Sequence, residues 1–311
     1  MSKDRVTSRT RRLGVTLGLT TALAVAQLVG GLAAHSMGLL SDAGHNVTDV
    51  AGVVMAMAAL RFTLRPRDRS RSFGYHRGTI LAALANAAVI AVVTAAIVVE
   101  SAVRLAHPHA VHGRTVAIIA AVALVVNTLA AVAVRDHKDL NMRAVSLHMV
   151  GDALGSLAVL GAGAVLVARP SLEWADPAAS LVVALIIVVE AYRLLRASVD
   201  VLLESAPADV DLDALSAAMY GVPGVAEVHD LHVWSLSNDV RALSAHVVLT
   251  GHPSLEEAQA VGDDVKAAIG TPFTIAHSTL ELECERSSDA ASDPCLMDVP
   301  APSTTAETAT R

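Results

Sequence analysis

Six runs of about 20 apolar residues, separated by short polar connections, fill most of the chain between residues 15 and 195, and no other feature limits the fold so tightly. In hydrocarbon every backbone N–H and C=O must be satisfied within its own segment, so a run of that length crosses a membrane as a helix. The runs cover residues 15–34, 37–60, 79–103, 115–134, 142–168 and 177–195. A content of 53% hydrophobic and 17% charged residues is too apolar for an ordinary soluble protein. With only 3% aromatic residues, the spans are dominated by Ala, Val, Leu and Gly, which permit close helix approach. The first run, preceded by Arg11-Arg12 and ending in Ala33-Ala34, also has ingredients of a secretory or twin-arginine signal, but its length is that of a span.

Orientation follows from the cations beside the spans. Lys3, Arg5, Arg9, Arg11 and Arg12 precede the first; Arg61, Arg65, Arg67, Arg69, Arg71 and Arg77 lie between the second and third; Arg135, Lys138 and Arg143 lie between the fourth and fifth. The other side has only Arg104, Arg114 and Arg169, so the expectation is a plasma-membrane protein with both termini cytoplasmic. The net charge of −7 reflects acids that accumulate after Glu204. The basic clusters lack interleaved aromatics and the GxxxxGK[ST] pattern is missing, so neither nucleic acid nor nucleotide is expected as a partner. The two cysteines, Cys284 and Cys295, imply no disulfide framework.

Within two of the runs one spacing repeats: His45 with Asp49, and His148 with Asp152. Residues four apart share a helix face, so each pair is a two-point clamp. Span two, entered from outside, reaches Asp49 after about 12 residues or ~18 Å, and span five, entered from inside, reaches Asp152 after about 10 residues or ~15 Å. Both aspartates then fall near the midplane of a core ~30 Å thick. Two imidazoles and two carboxylates form a tetrahedral set suited to Zn2+, whose charge the carboxylates cancel. Each ionisable group in the bilayer costs at least about 2.5–3.5 kcal/mol, so four of them call for a function. One isolated pair is equally well a polar cluster or a helix-to-helix hydrogen bond; two at matching depth favour a shared metal site. Asp42 is read as either vestibule lining or a helix-end charge, Asn46, Asn86 and Asn127 as helix-to-helix glue, and Glu100 and Glu190 as side chains reaching the interface.

From Pro207 the pattern becomes that of a soluble domain. Residues 208–222 read as a helix, 225–237 and 240–250 as strands around the turn Ser237-Asn238-Asp239, 254–270 as a helix with a Ser254–Glu257 capping box, and 273–283 as a third strand. The αββαβ order suits an α+β, ferredoxin-like or metallochaperone-like sheet with helices on one face. The expected division is a basic cytoplasmic segment (1–12), a six-span transmembrane domain (13–205), a cytoplasmic metal-binding and dimerisation domain (206–284) and a disordered tail (285–311). Period-two alternation puts His232 on the strand face opposite His229.

Together, the stretches SMGLLSDAGHNVTDVAG, RSFGYHRGTILAALANA, SLHMVGDALGSLAVL, DPAASLVVALIIVVEAYRLLRASVDVLLESAP and VHDLHVWSL resemble the cation diffusion facilitator family in its zinc-transporter branch, over about residues 13–284. The resemblance implies a homodimer in the lipid bilayer, with His45, Asp49, His148 and Asp152 as each protomer's transport site and His in span two favouring zinc over cadmium. It also implies a Zn2+ site in the cytoplasmic domain on His229, His246 and His277, one per strand, with Glu283 or Glu281 as the acidic ligand. Gln259 stands where some relatives have a bridging His, which implies one zinc there rather than two. Arg71 and Tyr75 replace histidines that in some relatives join Asp68 in a loop site, so that site is expected to be missing. Thr79 replaces a common glutamate without a derivable consequence.

The implied activity is not enzymatic. It is secondary active efflux of Zn2+ from the cytoplasm in exchange for H+, because ligands must lose protons to bind metal and regain them on an acidic side. A zinc hydrolase would keep one position open beside a general base, which four converging ligands and no spare base argue against. The alternatives are a membrane-anchored metal sensor, or an exporter preferring Co2+, Cd2+, Fe2+, Ni2+ or Mn2+.

Overall fold

The computed structural model describes residues 3–63, 65–66, 68–134, 140–237 and 240–285. The tail from 286 with Cys295, the Asn238-Asp239 turn, and Arg67, Arg135 and Lys138 lie outside the described residues, as do the side chains of residues 3–17 and 133–147. The apolar runs form α1 (Lys3–Ala34), α2 (Met37–Thr63), α3 (Gly78–Ala106), α4 (Gly113–Val134), α5 (Leu140–Ala168) and α6 (Ala175–Leu202). Five helices, α2 to α6, are long and apolar enough to cross a membrane, and in α1 the apolar stretch among the described residues is the shorter Gly18–Ala34. Val92, Ile118, Leu129 and Leu185 point outward and are exposed, as suits helices facing lipid rather than water.

Two compact units divide the chain: one holds the helices through Ala59 and Ala82–Arg196, the other Leu60–Leu81 together with the chain from Ala197 onward. In the first, Leu39, Ile90, Val116, Val159, Val183 and Ile187 form a buried cluster drawn from α2 to α6. Small residues bring α4 and α5 together: a Cβ at Gly163 would lie 2.7 Å from the Ala117 backbone nitrogen, and one at Gly113 2.6 Å from Leu166 Cβ. Asp176, in the first turn of α6, accepts from the backbone N–H groups of Met37 at 2.6 Å and Gly38 at 3.3 Å and so caps α2. Asn46 donates to Gln27 of α1, and Asn127 of α4 to Ser156 of α5, the inter-helix role expected for these asparagines.

The second unit contains α7 (Leu212–Tyr220), β1 (Val225–Ser237), β2 (Val240–Leu249), α8 (Leu255–Phe273) and β3 (Ile275–Glu283), the αββαβ order. The sheet runs β1-β2-β3, antiparallel between β1 and β2 and parallel between β2 and β3, with α8 as the crossover. Leu215 and Met219 of α7 and Val265 and Ile269 of α8 bury one face against Val228, Leu231, Leu243 and Val247. Asp211 caps α7, and at α8 both arms of the capping box are made between Ser254 and Glu257. The Ser254 backbone N–H and hydroxyl hold the Glu257 carboxyl below its ordinary range.

One period-two expectation fails at a bulge. The β1–β2 register slips between His229 and His232, where Asp230 takes φ 48°. The core face therefore passes from Val228 to Leu231 and Val233, leaving His232 on the same face as His229 rather than the opposite one.

Candidate metal centres

One helical turn separates His45 from Asp49 on α2, and the same turn separates His148 from Asp152 on α5. The two helices bring these side chains together: one ligand atom from each lies within 4.8 Å of the others. Across the helices His45 Nε2 is 3.1 Å from Asp152 Oδ1 and His148 Nε2 is 3.2 Å from Asp49 Oδ2. Along each helix the gaps are 3.7 Å for His45–Asp49 and 3.9 Å for His148–Asp152. Zinc bonds of ~2.0–2.2 Å at tetrahedral angles place ligand atoms about 3.3–3.6 Å apart, so the four observed edges bracket the ideal. Two carboxylates opposite two imidazoles can hold a divalent cation without net charge.

Exposure of this cluster is lopsided. The side chains of His45 and Asp152 are 6% and 4% exposed, whereas Asp49 and His148 are 23% and 33% exposed. On the closed side, toward the N-terminus of α2, Asp42 is buried and accepts hydrogen bonds from Gln27 of α1 and Ser156 of α5, so it lines no vestibule here. Ser41, Ser101 and Ser180 link α2, α3 and α6 one layer further out.

On the open side stands Glu190 of α6, which sequence reasoning sent to the membrane interface. Its Oε2 is 3.3 Å from His148 Nδ1 and 3.8 Å from His45 Nε2. No repeat marks Glu190; its helix depth, some 15 residues below Ala175 or ~22 Å, was the available signal. Glu100, by contrast, pairs with Arg104 at 2.9 Å.

The soluble sheet assembles a second group on the face away from α7 and α8. His229 and His246 are register partners on β1 and β2, with ring centroids 5.2 Å apart. Glu283 of β3 reaches both, at 2.8 Å from His246 Nδ1 and 3.6 Å from His229 Nε2. Both His229 nitrogens and Glu283 Oε2 are buried without a hydrogen-bond partner, a fit to an ion bridging the three. Glu281 approaches the other His246 nitrogen at 3.5 Å, as does Asp230 at 3.6 Å.

His277 is not brought to this group. It pairs with Ala242, four residues before His246 on β2 and so ~13 Å along the strand, where it is exposed and lies edge-on against Phe73. Asp230, on the bulge, hydrogen-bonds His232 at 2.7 Å.

In the α2–α3 connection Asp68 accepts from the hydroxyls of Ser70 and Tyr75 and the backbone N–H groups of Ser70 and Arg71. These donors, the Ser70 and Tyr75 hydroxyls foremost, lower its carboxyl to about 2. The carboxylate is engaged in a turn.

Comparison with known proteins places these arrangements. The profile for the cation efflux transmembrane domain matches residues 13–203, and that for the cation efflux protein cytoplasmic domain matches 207–285. The chain is 33% identical to the metal cation efflux system protein CzcD of Cupriavidus metallidurans over 292 residues, 92% of this chain and 91% of that one. It is 35% identical to the zinc transporter ZitB of Escherichia coli over 280 residues, covering 88% and 87% of the two chains. It is 30% identical to a Bacillus subtilis protein named a cadmium, cobalt and zinc/H(+)-K(+) antiporter over 271 residues, 86% of each. With the two profiles together matching almost all of residues 13–285 and relatives aligned over most of their length, the chain is an integral membrane protein of the cation efflux, or cation diffusion facilitator, family in its zinc-transporter branch.

Proposed function

We propose that this protein is a secondary active exporter that carries divalent metal, Zn2+ foremost, out of the cytoplasm in exchange for H+. The observation that carries this reading is the convergence of His45, Asp49, His148 and Asp152 from two apolar helices. Relatives named as a zinc transporter and as a cadmium, cobalt and zinc/H(+)-K(+) antiporter support the cargo and the coupling.

Metal and protons compete for the same atoms. A bound Zn2+ takes the imidazole nitrogens and carboxylate oxygens in their deprotonated forms, and an empty site facing an acidic compartment takes protons back. The lopsided exposure of the site supports access from one side at a time, as alternating access requires. The full proposal has six spans with α1 as the first, both termini cytoplasmic, a plasma-membrane location, and a homodimer paired through its soluble domains. In those domains His229, His246 and Glu283 hold a second Zn2+, and His277 does not contribute.

The test is metal flux in proteoliposomes with an imposed pH gradient, comparing Zn2+, Cd2+, Co2+, Mn2+ and Fe2+ in the parent and in Asp152→Ala. Expected is proton-driven Zn2+ flux that Asp152→Ala abolishes. Flux persisting in the variant would move the pathway elsewhere, and no flux of any metal from folded parent protein would favour the membrane-anchored sensor.

A further inference from the structure

We infer that Glu190 is a positioning residue of the transport site: its carboxylate accepts the Nδ1–H of His148 and so presents the Nε2 lone pair to the metal. This rests on the transport-site reading above.

His148 lies between two carboxylates. Glu190 meets Nδ1 with Oε2 at 3.3 Å and Oε1 at 3.4 Å, while Asp49 Oδ2 meets Nε2 at 3.2 Å. A neutral imidazole carries one proton, and only the ring with that proton on Nδ1 has Nε2 free to ligate. A carboxylate acceptor at Nδ1 selects that tautomer and fixes the ring plane.

The two histidines need different support. His45 is 6% exposed and its Nδ1 is buried without a hydrogen-bond partner, so packing and the Asp152 contact at Nε2 hold the ring with no tether at Nδ1. His148 is 33% exposed on the open side and has rotamer freedom to lose, so a tether there lowers the cost of ordering it. The neighbouring residue makes room for the tether: a Cβ at Gly151 would approach Glu190 Oε1 to 3.2 Å. A third carboxylate beside the two histidines at this depth is otherwise hard to account for. Direct ligation is the rival role, since Oε2 also comes within 3.8 Å of His45 Nε2, but the shorter contact is to the His148 nitrogen that faces away from Asp49.

The experiment measures Zn2+ affinity by chelator competition on the full-length protein in detergent, and KM and kcat for Zn2+ flux in proteoliposomes. All variants sit in a His246→Ala background so that binding reports the membrane site. Glu190→Leu and Glu190→Met remove the acceptor, and both are expected to raise Kd and KM about 10–100-fold with kcat held within about twofold. Glu190→Gln keeps an acceptor oxygen and is expected to recover most of that loss. The 15N shifts of His148 are expected to show the proton on Nδ1 in the parent and in Glu190→Gln, and a shift toward Nε2 in Glu190→Met, which also stands in if Glu190→Leu does not fold.

Equal losses in Glu190→Gln and Glu190→Met would overturn the positioning role in favour of a charged ligand. Full affinity in Glu190→Met would overturn it outright, as would an Nε2 proton on His148 in the parent. Asp152→Ala in the same background separates the two levels: undiminished Zn2+ binding there would remove the transport site itself, whereas lost binding there with unaffected Glu190 variants would remove only the inference about Glu190.

Discussion

Glu283 lies 2.8 Å from His246 Nδ1, and its other oxygen and both His229 nitrogens are buried with no hydrogen bond. Each buried unsatisfied polar atom costs about 1–3 kcal/mol, and one Zn2+ would relieve two of them, Glu283 Oε2 and one His229 nitrogen. Glu283→Gln is therefore expected to weaken Zn2+ binding at the soluble site by more than about tenfold, since even outer-shell losses at metal sites reach that size. His277→Ala is expected to leave it unchanged. Calorimetry on the full-length protein in an Asp152→Ala background checks both, and matching losses would contradict the register placed here. What sequence could and could not reveal at this scale follows from geometry. The membrane pairs were legible because a four-residue repeat on a helix is itself a statement about direction in space. In the soluble set His229, His246 and Glu283 were named and His277 stands apart, because strand register decides it: His277 pairs with Ala242, whereas Glu281 pairs with His246 and the Glu283 side chain reaches that histidine. Glu190 was illegible for a further reason, that a contact between α5 and α6 leaves no mark in the spacing of either helix.

At the scale of elements, α4 and α5 are in contact through residues whose smallness is required rather than incidental. A Cβ at Gly163 would lie 2.7 Å from the Ala117 backbone nitrogen, whereas one at Gly161, two residues earlier on the same helix, would have nothing within 4 Å. Gly161→Ala should gain up to about 1 kcal/mol of helix propensity. Gly163→Ala gains the same but must push two backbones apart, which at about 1–3 kcal/mol outweighs it. Thermal unfolding in detergent is expected to move up or stay level for Gly161→Ala and down for Gly163→Ala; a common shift would mean that α4 and α5 are not held at this distance. Helix ends and hydrophobic periods carried the element assignments, including the Ser254–Glu257 capping box. The bulge at Asp230 was invisible because one added residue reverses the alternation beyond it without altering the composition of the strand.

For the whole molecule, the number of crossings decides which way the pump points. Among the described residues five helices are long and apolar enough to cross a membrane, and α1 has the shorter apolar stretch Gly18–Ala34. Five crossings would put the termini on opposite sides of the membrane, and six put them on the same side. α1 also has buried partners within its own unit: Gln27 is fully buried, receives Asn46 and donates to Asp42, a polar inner face with an apolar outer face in Leu19, Val25, Val29 and Leu32. A helix with that division belongs within a bundle, surrounded on its remaining side by lipid. The loop of the second unit adds little to this decision, since the Arg77–Glu204 pair at 2.6 Å is exposed on both partners and worth at most about 1 kcal/mol. Cys284 is a free, exposed thiol and so a reporter for the C-terminal side. In a Cys295→Ala background carrying an N-terminal peptide tag, inside-out vesicles are expected to expose both the thiol to an impermeant maleimide and the tag to protease, and right-side-out vesicles neither. Opposite accessibility of the two ends would remove α1 as a span, and would reverse the direction assigned to α2 through α6 where the thiol is the protected end. Protection of both ends in inside-out vesicles would keep six spans but invert them, placing both termini and the open His148 and Glu190 side outside.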